Sequence, residues 1–126
     1  MTERLPSPFE VHVIERPWLM YRVTPAMGDA AFVKAFCSNY EKGLRPRGIE
    51  IQAAVVHMGL SMFVSHEYPV WLAKRVPKLG GHVATMRLVP DIGFCVAKTG
   101  SPGHWSVWGR PPELVGCVER VWKPTD

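Results

Sequence analysis

Polar and apolar positions alternate most cleanly over residues 82–90, HVATMRLVP, where Val83, Thr85, Arg87 and Val89 oppose Ala84, Met86 and Leu88. A period of two places each set on one face of a strand, and Pro90 ends the ladder. The same period recurs in LSMFVS at 60–65 and in VHVIER at 11–16. Shorter strands are expected in WLMYRVT (18–24), GFCVAK (93–98), HWSVWG (104–109) and VGCVERVW (115–122). WLMYRVT follows Pro17 and is either a second strand or a continuation of the first. Two segments carry a helical period instead. AAFVKAF, with Asp29 as its cap, places Phe32, Val33 and Phe36 on one side, and EYPVWLAKRV (67–76) has Glu67 in its first turn and Lys74 and Arg75 at its end. IEIQAAVVHM (49–58) fits strand or helix equally.

The chain punctuates these elements with 12 prolines and 11 glycines. Residues 1–10 read as an N-terminal arm broken by Pro6 and Pro8. SNYEKGLRPRG is a bend between helix and sheet, TGSPG a loop, and GRPPEL a turn leading into at most one helical turn. The whole reads as one domain, 1–126, of α+β class: a curved, mainly antiparallel split sheet of six or seven short strands, with two short helices, both in the first 80 residues.

Composition sharpens this picture only mildly. At 47% hydrophobic and 21% charged residues the chain has the makings of a packed core. No apolar run approaches the roughly 18 residues of a membrane helix, and the first residues lack an apolar signal core, so a cytoplasmic protein without a membrane partner is expected. A net charge of +4 favours anionic ligands, yet the basic residues are dispersed and form no nucleic-acid tail. Cys37, Cys95 and Cys117 are far apart with no CxxC pair, and the histidines have no HxxxH or HExxH spacing, so no metal site is expected. Walker, GxGxxG and GxSxG motifs do not occur.

Several positions invite chemistry. Arg22 interrupts an apolar run, so it either meets an anion or lies on the solvent face of an edge strand. Arg45 and Arg47, on the glycine-bounded GLRPRG loop, either hold a phosphate or form a solvated turn with Glu50 as counter-ion. Ser61 shares a strand face with Phe63 and Ser65, where hydroxyls either meet a ribose or edge the core. In GHWSVWG, Trp105 and Val107 occupy one face and His104, Ser106 and Trp108 the other, which brings a titratable ring beside an aromatic, suited to stacking or acid–base work. Glu119 either stabilises positive charge in a reaction or pairs with a neighbouring cation.

The order of these pieces resembles a known family. A Tyr21–Arg22 pair on an early strand precedes an arginine- and glycine-bearing loop, then the strand GLSMFVS, then the helix HEYPVWLAKR. Over residues 18–76 this is similar to the first half of the ADP-ribosyltransferase fold and, within it, to the RES-domain toxins that consume NAD. The resemblance implies that Arg22 and Arg47, with Arg45 beside them, hold the dinucleotide. It also implies that Tyr21, Ser61 and the following helix close a nicotinamide pocket, with Tyr68 or Trp71 stacked on the ring. Cleaving the nicotinamide–ribose bond builds positive charge on the sugar, for which Glu50 and Glu119 are the carboxylate candidates. The RES-type helix carries a glutamate near its end, where this chain has Ala73, Lys74 and Arg75. The expectation is an NAD-consuming ADP-ribosyltransferase or NAD glycohydrolase of the small toxin or effector kind, with a protein or nucleic-acid target and an antitoxin. The alternative is a non-catalytic binding module for nucleic acid or a partner protein, or a structural protein that oligomerises through its aromatic surface.

Overall fold

Strand pairing absorbs nearly every alternating segment. The computed structural model describes residues 11–28, 30–37, 59–99 and 103–125. Within these residues the strands are β1 (His12–Val13), β2 (Trp18–Thr24), β3 (Leu60–Phe63), β4 (His82–Leu88), β5 (Cys95–Lys98), β6 (His104–Trp108) and β7 (Val118–Trp122). The helices are α1 (Ala30–Lys34), α2 (Glu67–Arg75) and α3 (Pro111–Val115), with a 3₁₀ turn at Pro77–Leu79. All pairings are antiparallel, in the order β1-β5-β6-β3-β2-β4-β7. This is the α+β class expected from the patterning.

Register explains the split. β2 pairs with β4 along its whole length, from Trp18↔Leu88 to Thr24↔His82, and β3 pairs with β6 along its whole length, from Leu60↔Val107 to Phe63↔His104. β2 and β3 share one registered pair, Tyr21↔Phe63. Beyond it the strands part, so a four-stranded half (β1-β5-β6-β3) and a three-stranded half (β2-β4-β7) meet at a narrow seam.

One face of the sheet carries the core. Met20, Leu60, Met62, Ala84, Met86, Leu88, Val96 and Val107 point to it, and Phe32 and Phe36 of the α1 region and Leu114 of α3 cover it. On the other face, α2 packs on β2 and β4, burying Pro69 and Ala73. The turn that follows α2 is held by Gly80, whose φ is +118° and whose place leaves no room for a Cβ, which would collide with the backbone of Thr24 and Pro25.

Some boundaries differ from the expectations. β1 has two residues, not six, because the chain bends at Glu15 and Arg16 before Pro17, and β2 is a separate strand. Val33 is 55% exposed while Phe32 and Phe36, four apart, are buried, so the apolar side of α1 is narrower than its sequence implies. A third helix lies outside the first 80 residues: Pro111 and Pro112 preset its first turn, and Arg110 and Glu113 pair at 3.4 Å. The last strand accordingly starts at Val118 and not at 115. The arm 1–10, Asp29, the GLRPRG loop with Arg45, Arg47 and Glu50, and the segment 49–58 lie outside the described residues.

Candidate functional site at the sheet seam

β2 is an interior strand, so the edge-strand placement open to Arg22 from its sequence does not occur. Alternation puts Arg22 in phase with Met20, on the core face, at the point where β3 leaves β2. Its guanidinium spans the seam. Nη1 donates to the Ser61 carbonyl of β3 at 2.6 Å, and Nη2 and Nε donate to the Ala35 carbonyl, just past α1, at 2.7 and 3.2 Å. Ser61 and Ala35 thus each offer a backbone oxygen to the guanidinium. Desolvation lowers the Arg22 pKa to about 10, which still leaves a full positive charge at neutral pH.

Arginine carries five N–H donors, so one on each terminal nitrogen remains beyond these three bonds. No described carboxylate pairs with it. A partly desolvated cation held by neutral carbonyls recovers its lost solvation when an anion joins it.

The other face of the seam is aromatic. Tyr21 meets His66 (5.8 Å between ring centroids) and Trp122 (6.4 Å), both edge to face. Phe63, paired with Tyr21 across the seam, meets His104 at 5.2 Å and Tyr68 at 5.1 Å. Tyr68 stacks on Trp71 at 5.5 Å with 24° between planes, and the Arg75 guanidinium lies 5.4 Å over Trp71. Ser61 is exposed on this face, since its register partner Ser106 is in phase with His104.

His104 has a fixed tautomer. Its Nδ1 donates to the Thr99 carbonyl, which only accepts, so in the neutral ring Nε2 is the acceptor. Thr99 Oγ1 lies 3.2 Å from the same nitrogen and 2.8 Å from Ser106 Oγ, which clamps the β5–β6 end. Alternation places Ser106 beside His104, but nothing in the sequence points to Thr99, because a hydroxyl pair across two strands has no local signature.

The sequence-derived residues thus divide. Tyr21, Ser61, His104, Tyr68 and Trp71 lie on one face, linked through Phe63, while Arg22 enters the seam from the other. Glu119 lies apart, on β7, two strands from β3's neighbour and paired with Arg87 Nε at 2.9 Å. This is the ion-pair option its sequence left open. The two groups edge an apolar hollow of about 380 Å³ that also includes Val89, Ile92 and Cys117. Burial pushes the Cys117 thiol up, away from reactivity.

Among the described residues no three His, Cys, Asp or Glu side chains come together to hold a metal, and no helix is long and apolar enough to cross a membrane. No family model matches the chain, and no curated protein or solved structure matches it.

Proposed function

We propose that the seam between β2 and β3 binds the diphosphate of NAD through Arg22, and that the protein is an NAD-consuming enzyme of the ADP-ribosyltransferase or NAD glycohydrolase kind. One observation carries this reading: a half-buried guanidinium, lacking a described counter-anion, stands where an antiparallel sheet opens. Among the described residues two donors of Arg22 have no acceptor and can meet phosphate oxygens, and Ser61 is exposed on the opposite face of the seam for a ribose. The order of elements adds the resemblance drawn from residues 18–76.

The reaction breaks the bond between nicotinamide nitrogen and ribose C1′, and the bonding pair leaves with nicotinamide. Water, or a hydroxyl of a target, forms the new bond to C1′ and gives up a proton. His104 Nε2 is an acceptor suited to that proton. For the carboxylate that offsets charge on the sugar, Glu119 is already committed to Arg87, which makes Glu50 the residue to vary.

Purified full-length protein incubated with NAD should release nicotinamide, measured by chromatography. Arg22→Lys keeps the charge but loses the fork, and should lower release about tenfold or more. Its melting temperature, recorded alongside, separates loss of the seam from loss of binding. Glu50→Gln should abolish release with the melting temperature retained. No nicotinamide release together with no thermal shift on adding NAD would end this reading.

A further inference from the structure

The outer side of α2 has features the seam reading does not use. Tyr68, Trp71 and Arg75 follow one another at spacings of three and four, so they form a single stripe. Tyr68 is 49% and Trp71 47% exposed, large areas of ring left in water. The rings are already ordered, Tyr68 stacked on Trp71 and Arg75 over its indole. A second pair of the same kind stands on β7, where the Arg120 guanidinium lies 5.3 Å over Trp122, and Trp122 joins the Tyr21 ring on the face that α2 covers. Arg75 and Lys78 lie at and just past the C-terminal end of the helix, while its one carboxylate, Glu67, sits in the first turn, hydrogen-bonded by Ser65.

We propose that this face of α2 is a stacking platform for single-stranded nucleic acid. Every base offers a flat π surface, and stacking on exposed aromatic rings tolerates any sequence. At an exposed indole, base stacking is stronger than a solvated cation–π contact, so an unpaired base displaces Arg75 from Trp71. The released guanidinium is then one side chain away from the backbone phosphate, and Lys78 extends the positive track past the helix end. Charge selects this occupant. An apolar partner or a second copy of the chain would have to bury two arginines, Arg75 and Arg120, that pair with no carboxylate among the described residues, whereas a phosphate backbone supplies the counter-ions with each nucleotide. A duplex is disfavoured because its bases are already stacked.

The experiment is fluorescence anisotropy of the full chain with a labelled 15-nucleotide oligo(dT) and oligo(U), in parallel with the same-length duplex and without NAD. Saturable binding to the single strands is expected, weakening with salt by a log–log slope of about −0.7 for each phosphate neutralised. Trp71→Ala should weaken it about tenfold, and Trp71→Phe, which keeps a ring, should restore most of that loss. Arg75→Gln should make the salt slope shallower by about 0.7. Trp71 is half exposed, so the variants should melt with the wild type, and circular dichroism checks this. The proposal is overturned by no binding at low salt, by binding that Trp71→Ala leaves unchanged, or by equal affinity for the duplex. Sedimentation showing a Trp71-dependent dimer that excludes the oligonucleotide would assign the stripe to a second copy instead.

Discussion

Arg22 and Thr24 point the same way from the same strand, and they show two ways of treating a polar group in a core. Arg22 is reconciled by three hydrogen bonds to backbone carbonyls. Thr24 is fully buried, and its Oγ1 has no partner among the described residues. An unpaired buried hydroxyl costs about 1–3 kcal/mol, and valine has nearly the same shape. Thr24→Val should therefore raise the denaturant midpoint, by a gain of about 1 kcal/mol at constant slope; a loss of stability would mean that the hydroxyl has a role at the seam. Arg22 was legible as an anomaly, since a charge inside WLMYRVT demands a partner. What that partner is was not legible, because carbonyls of Ala35 and Ser61 are contributed by sites 13 and 39 residues away. For Glu119 the sequence leaves both a catalytic role and an ion pair open, and its pairing with Arg87 depends on the β4–β7 register.

At the scale of elements, alternation located β4 and β6 closely because both carry a strict period of two between clear stops. It overextended β1 and β7, where bends and a proline-led helix interrupt the pattern. α2 was visible from its first-turn acid and last-turn bases, and the structure adds a detail at its start. The Ser65 hydroxyl is the largest cause of a lowered Glu67 pKa, helped by a backbone N–H and by His66. A carboxylate whose folded pKa is depressed stabilises the folded state above its unfolded pKa, and that contribution is lost as pH falls through the folded value. Helix α2 should thus loosen as pH drops below the ordinary carboxylate value of 4.5. Ser65→Ala should move the Glu67 titration, followed by NMR, back up towards that value; an unchanged midpoint would show that the hydroxyl does not hold the carboxylate. The stripe of Tyr68, Trp71 and Arg75 was present in the spacing, but stacking of the first two on each other depends on rotamers that spacing does not specify.

For the molecule as a whole, the decisive feature is that, among the described residues, the two sheet halves are joined by one registered pair and by a side chain. Local patterns predicted the class and most strands, but not the order β1-β5-β6-β3-β2-β4-β7, which rests on pairings between distant segments. On the proposed function the seam is an anion site centred on Arg22. The most direct measurement is an NMR titration of the full chain with NAD, following the Arg22 Nε–H and the backbone amides of β2, β3 and α2. Saturable shifts of Arg22 Nε–H and of the amides flanking Ser61, absent with nicotinamide alone and retained with ADP-ribose, are predicted. Shifts confined to α2, or none at millimolar NAD, would contradict it.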